Sequence, residues 1–283
     1  MKKLLISISL LFPILLQAQT VCSLESREKV EIALEKLTEL DSKSMTPNER
    51  IAEIGQWFMG TPYVEKTLEI PGPEQVVIDF QGVDCTTFLE SVVSLALIEE
   101  AGNLSFGAFE KELENLRYRG GKNTGYISRL HYFSDWIYIN QKKGIVTDMT
   151  REIGGVPYEN HPTFMTENPQ FYPQLSQKEN VEQLQNIEAG IRTRSYYFIP
   201  KAQISQVENQ IQSGDLIAIT TSMNNLDMVH VGFAFEKDGR IHLMHASSKN
   251  KKVEISELPL HDYLAGNRSQ SGIMVVRLNS TSN

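Results

Sequence analysis

A tight turn constrains this chain more than any other feature. Lys237-Asp238-Gly239-Arg240 separates two runs of alternating side chains, 229–235 and 241–246. Asp-Gly is the pair that a two-residue β-hairpin loop selects, because both turn residues need positive φ. With Asp238 and Gly239 at the tip, the numbers of every cross-strand pair sum to 477. His245 then lies opposite Gly232. Side chains alternate faces along a strand, so His230 shares the face of Gly232. The two histidines are therefore diagonal neighbours, their backbones about 7–8 Å apart. Gly232 between them offers no side chain to obstruct the approach. His242 pairs with Phe235 on the other face and is excluded. A slip of one residue in the turn would put the two histidines on opposite faces.

The rest of the last third is also strand-like. Residues 216–220 form a short apolar run after Ser213-Gly214, and 272–278 read as a closing strand. The first third is helical. Residues 25–40 place Val30, Ala33, Leu34 and Leu37 at helical spacing. Thr46, Pro47 and Glu49 make an N-cap, a first-turn proline and a capping box, opening a helix that carries Ile51, Ile54, Trp57 and Phe58. Residues 84–97 are apolar on most sides, as a buried helix is, and end near Ala101-Gly102-Asn103. The middle, 104–210, is mixed. Residues 109–116 look helical. Pro157, Pro162, Pro169 and Pro173 predict loops and short helices rather than sheet over 155–178.

Cys85 stands where the buried helix begins. A thiol attacks as thiolate, and the unpaired N–H groups and dipole of a helix N-terminus favour that form. A lone cysteine on an apolar helix is also commonly a buried structural residue. The histidine pair tips the balance. A thiolate needs a base and the base an orienting group, and Cys85, His230 and His245 can fill those roles. Two histidines are also metal ligands, but no H-E-x-x-H or C-x-x-C accompanies them and Asp227 is the only nearby carboxylate, so no metal and no cofactor are expected. His161 and His261 show no partner pattern and are read as loop residues.

The N-terminus has a positive start, Met1-Lys2-Lys3. An apolar stretch over 4–16 and a small polar end over 17–20 follow. This is the pattern of a secretory signal peptide, 1–19, and is too short for a membrane span. Its removal takes Lys2 and Lys3 from 27 basic residues and nothing from 35 acidic ones, so the net charge of −8 becomes −10. That balance argues against nucleic acid and anionic membranes as partners. No later segment is long and apolar enough to span a bilayer. Export permits a Cys22–Cys85 disulfide, which is the competing structural role for both cysteines. Val21 fits poorly before a lipidated cysteine, so a soluble exported chain is preferred. A helical segment over 20–45 and one domain over 46–283 complete the organisation.

The same residues resemble the NlpC-type papain-like cell-wall hydrolases. The matching pieces are Gly60-Thr61-Pro62-Tyr63-Val64, Asp84-Cys85-Thr86-Thr87, His230-Val231-Gly232 and Met244-His245-Ala246, in that family's order. A closer resemblance is to its N-acetylmuramoyl-L-alanine amidase-like branch. It rests on the segments 129–136 (Arg-Leu-His-Tyr-Phe-Ser-Asp-Trp), 226–232 (Leu-Asp-Met-Val-His-Val-Gly) and 271–277 (Ser-Gly-Ile-Met-Val-Val-Arg). The resemblance implies an α+β papain-like NlpC-type core, with the Cys85 helix packed on an antiparallel sheet and a long mixed insertion. It implies Cys85 as nucleophile, His230 as base and His245 as orienting residue. Tyr63, Asp84 and Thr86 would contact substrate. Arg129, His131 and Asp227 are candidate groove residues, although Tyr132, Phe133 and Trp136 beside them read equally well as core with polar structural partners. Where the endopeptidase relatives have Asp-Cys-Ser, Thr86 keeps the hydroxyl and adds bulk.

The implied substrate is peptidoglycan or its muropeptide fragments, and the chain is expected to be a periplasmic monomer. The leading expectation is a cysteine amidase cutting between the muramic acid lactyl group and L-Ala. The alternatives are an endopeptidase cutting between D-Glu and the diamino acid, and a catalytically silent peptidoglycan-binding module.

Overall fold

The computed structural model describes residues 20–280; the signal segment read over 1–19 lies outside the described residues. Strand β1 (Thr20–Cys22) leads into helix α1 (Leu24–Glu39), whose cap is Ser23, its hydroxyl accepting from the Ser26 N–H at 3.0 Å. The apolar stripe Val30, Ala33, Leu34 and Leu37 is buried as its spacing predicts. α2 (Pro47–Gln56) opens on the expected capping box: Thr46 accepts from the Glu49 N–H at 3.2 Å, and Glu49 accepts from the Thr46 N–H at 2.7 Å. β2 (Val76–Ile78) pairs in parallel with β1, setting Cys22 beside Ile78.

α3 (Cys85–Glu100) is the central helix. Phe88, Leu89, Val92, Val93, Leu95 and Ala96 are wholly buried, each contributing about 1.5–3 kcal/mol where the side chain is large. Gly102, at φ +68°, terminates it where the sequence predicts. Then come α4 (Phe106–Arg117), α5 (Phe133–Lys142), β3 (Val146–Asp148), β4 (Val156–Tyr158), α6 (Phe164–Glu167), α7 (Lys178–Arg192), β5 (Tyr196–Pro200) and α8 (Ile204–Val207). The last third supplies β6 (Leu216–Thr221), β7 (Met228–Lys237), β8 (Arg240–Ser247), β9 (Lys252–Pro259), α9 (Leu260–Ala265) and β10 (Gln270–Leu278).

The main sheet runs β4-β5-β10-β6-β7-β8-β9, with β3 also on β10, and every pairing in it is antiparallel. Both faces are covered. Leu216, Ala218, Val231, Phe233, Met244 and Met274 join the larger core with α2 and α3, while Ile217, Ile219, Ala234, Leu243 and Ile273 join a second core that includes Leu260 and Leu264 of α9. Two-sided burial is why β6 reads as a continuous apolar run rather than an alternation. The fold is thus α+β, with α3 packed on β7 and β8. Among the described residues no helix is long and apolar enough to cross a membrane.

The hairpin register is the predicted one. Asp238 and Gly239 have φ of +53° and +74°, and the pairs run Lys237↔Arg240, Glu236↔Ile241, Phe235↔His242, Ala234↔Leu243 and Phe233↔Met244. Two expectations need correction. Residues 155–178 do contain a strand, β4, which tolerates Pro157 because it is the edge strand of the sheet. His261 lies in α9 rather than a loop, paired with its neighbour Asp262 at 2.9 Å.

Candidate active site

Asp84 fixes how α3 begins. Its Oδ1 accepts from the Thr87 N–H at 2.8 Å, and the Thr87 hydroxyl accepts from the Asp84 N–H at 2.9 Å. This capping box makes Cys85 and Thr86 the first two helical residues, whose N–H groups have no partner within the helix. Cys85 is half-buried, close enough to Tyr63 and Tyr263 to influence both hydroxyls. Cys22 and Cys85 are both unpaired thiols.

The helix terminus does not give the thiol a low pKa, contrary to expectation. Burial pushes Cys85 up to about 11, and the Asp84 carboxylate adds to the rise. The Val231 N–H, the Thr86 hydroxyl and the Thr86 N–H oppose it without overcoming it. The residue that caps the helix is itself an anion, and it cancels part of what the terminus offers.

His230 and His245 meet as the register requires. His230 Nε2 lies 2.6 Å from His245 Nδ1, with the rings edge to face and their centroids 4.8 Å apart. Gly232 permits the approach: a Cβ there would stand 3.0 Å from the His245 Cβ and 2.6 Å from the Met244 carbonyl oxygen. Burial lowers His230 to about 4. It lowers His245 to about 3, with His230 contributing. Both imidazoles are therefore neutral at ordinary pH. The Cys85 sulfur lies against the N–H of Val231, the residue that follows His230.

Two members of the cluster escaped the sequence reading. The Tyr263 ring sits 5.4 Å from the His245 ring. Glu254 lies directly across from His245 in the β8–β9 ladder, its Oε1 4.0 Å from His245 Nε2. The signal for Glu254 was available, since 252–256 alternates polar and apolar residues.

Tyr63, Asp84 and Thr86 lie around Cys85. Tyr63 is held by its N–H donating to the Lys251 carbonyl at 2.9 Å, and its hydroxyl is pushed up to about 12 by burial and by Cys85 and Asp84. Arg129, His131 and Asp227 have their partners elsewhere. Arg129 is 6% exposed and ion-paired to Glu69 at 2.6 Å and Glu74 at 3.0 Å. His131 Nε2 donates to the Tyr126 carbonyl at 2.8 Å. Asp227 accepts from the Ser134 N–H at 2.8 Å, capping α5 from across the fold. His242, excluded above, bonds to the Ser256 carbonyl at 2.7 Å. Among the described residues no group of three or more His, Cys, Asp or Glu side chains could hold a metal ion. A thiol, two linked imidazoles and the N–H groups at a helix N-terminus are the parts that acyl transfer uses.

A family model described as N-acetylmuramoyl-L-alanine amidase-like matches residues 53–273. Among solved structures the chain is similar to an N-acetylmuramoyl-L-alanine amidase from Bacteroides uniformis, with 37% identity and a TM-score of 0.79, covering 82% of this chain and 99% of that one. A Bacteroides fragilis protein provisionally named a xylanase is 36% identical with a TM-score of 0.76, over 79% and 98% of the two chains. Protein LPG0564 from Legionella pneumophila, of family DUF1460, is 26% identical with a TM-score of 0.64, over 91% and 97%. No curated protein matches the chain.

Proposed function

The chain belongs to the N-acetylmuramoyl-L-alanine amidase-like family, and we propose that it is a cysteine-dependent peptidoglycan hydrolase cutting between the muramic acid lactyl group and L-Ala. The observation that carries the mechanism is the 2.6 Å bond between His230 and His245, adjoining Val231 and the Cys85 sulfur. Cys85 is the nucleophile, His230 the base and His245 the orienting residue, on a papain-like NlpC-type core. Substrate brings the amide carbonyl over Cys85. His230 takes the thiol proton, the C–S bond forms, and the N–H groups of Cys85 and Thr86 receive the oxyanion. Collapse breaks the C–N bond, His230 returns the proton to the leaving L-Ala amine, and water frees the lactyl acyl group. A glycosidase would work with two carboxyl groups across the scissile bond, which the thiol and imidazoles here do not supply. Residues 1–19 are read as the signal for export to the periplasm.

A second reading rests on Asp84. Only its Oδ1 is engaged in the helix cap, so its other oxygen is available beside Cys85 to receive a free peptide ammonium. That would suit an endopeptidase cutting between D-Glu and the diamino acid. The test is incubation of the mature protein with disaccharide-tetrapeptide and mass spectrometry of the products, with Cys85→Ala as control. Free disaccharide plus intact tetrapeptide, absent in the control, is the expected outcome. Free tetrapeptide, whose L-Ala amine is unblocked, is run in parallel, and its cleavage into two dipeptides would establish the endopeptidase instead. Intact substrate that nonetheless binds would leave a peptidoglycan-binding module.

A further inference from the structure

We infer that Glu254 is a positioning residue that selects the working tautomers of both histidines, an inference that rests on reading Cys85 and His230 as nucleophile and base. His230, His245 and Glu254 lie in a row across β7, β8 and β9, and His245 and Glu254 are direct cross-strand partners. His245 is 2% exposed, and its Nε2 is a buried polar atom with no hydrogen-bond partner. The groups facing it are His230 from β7, Glu254 from β9 and the Tyr263 ring from α9. Glu254 Oε1, held by the Asn250 side-chain N–H at 2.7 Å, is a carboxylate acceptor 4.0 Å from that nitrogen. A shift of about 1 Å makes the hydrogen bond.

The consequence follows ring by ring. One proton is shared along the 2.6 Å His230–His245 bond, so one ring donates and the other accepts. A carboxylate beside Nε2 of His245 favours the proton there. His245 Nδ1 must then accept, and His230 Nε2 must donate. That leaves His230 Nδ1 with its lone pair, the state a base for Cys85 requires. Without the carboxylate, His245 can carry its proton on Nδ1 and donate to His230 Nε2. His230 is then protonated on Nδ1 and cannot take the thiol proton there. Glu254 thus acts through two rings and touches no reacting atom.

The experiment is ring-nitrogen ¹⁵N NMR on the full mature protein, with kinetics on disaccharide-tetrapeptide, for wild type, Glu254→Gln and Glu254→Ala. Wild type is expected to hold His245 as the Nε2–H form. Glu254→Ala is expected to show mixed tautomers and lose about 100-fold in kcat, the low end of what a positioned base contributes, with KM little changed. The glutamine carbonyl can still accept, so Glu254→Gln falls between them. Glu254 is part-exposed on an edge strand, and equal Tm values will show that the variants fold. An Nε2–H form that persists in Glu254→Ala overturns the inference, whether or not kcat falls. If wild type fails to cleave the fragment, the proposed function fails while the tautomer spectrum still decides the role of Glu254.

Discussion

A thiol held near 11 leaves about one molecule in 10⁴ as thiolate at pH 7, and an imidazole held near 4 is neutral there. The resting pair is therefore uncharged, and the nucleophile forms only as the proton moves to His230. The active form requires His230 unprotonated. Because burial depresses His230, kcat/KM should stay level from neutrality down to about pH 5 and fall through about pH 4. A limb near 6.5 would show instead that His230 is an exposed, ordinary imidazole. Stability changes in the same region and must be measured beside it. His230 and His245 are neutral when folded, whereas the unfolded chain binds protons on both below about 6.5. Folding stability is thus complete above 6.5 and declines as pH falls toward 4. Tm measured over the same pH range separates unfolding from loss of the base.

At the scale of elements, Asp227 shows how a residue beside a site can serve the frame. Tyr132, at the N-cap position of α5, supplies no side-chain cap. Asp227, 93 residues away in sequence, accepts the buried Ser134 N–H instead, and its Oδ1 accepts from the Met228 N–H at 2.7 Å. Asp227→Ala would leave those donors without their carboxylate. A loss of about 1–3 kcal/mol in denaturant unfolding is expected, with KM unchanged in the folded fraction. A raised KM at unchanged stability would return Asp227 to the substrate groove. The sequence is readable where local chemistry decides: the Asp238-Gly239 turn set the register, Thr46 and Glu49 the start of α2, and the apolar run after Asp84 the burial of α3. It is less readable where partners come from afar. Nothing near Asp227 announces that its partner is Ser134, and nothing near Arg129 announces Glu69 and Glu74. Glu254 is different, since its alternating strand is visible in the sequence; its importance comes from pairing with His245. The height of the Cys85 pKa was hidden because burial is a property of the packed whole.

Across the whole molecule, the site depends on α3 being held at both ends and at its middle. At its C-terminal end Arg50 of α2 pairs with Glu99 at 2.6 Å and Glu100 at 3.3 Å, offsetting two acids placed where the helix dipole disfavours them. At its middle Glu90 accepts from Arg117 Nε of α4 at 2.6 Å and from the Trp136 ring N–H of α5 at 3.2 Å, while Arg117 also donates to the Val77 carbonyl at 2.7 Å. The Glu90 and Arg117 side chains are each 2% exposed. A buried pair gains little over a well-packed apolar pair, but one partner alone is costly. Glu90→Ala leaves a buried guanidinium uncompensated, so a loss of about 3–5 kcal/mol is expected. Replacing both residues together, Glu90→Met with Arg117→Met, should recover most of it. Turnover per folded molecule should stay near wild type in the double variant, because Glu90 lies more than one helical turn from Cys85 and its side chain is engaged with Arg117 and Trp136. If the double variant were as unstable as Glu90→Ala, the bonds to Trp136 and Val77 rather than charge balance would be holding α3 against α4 and α5.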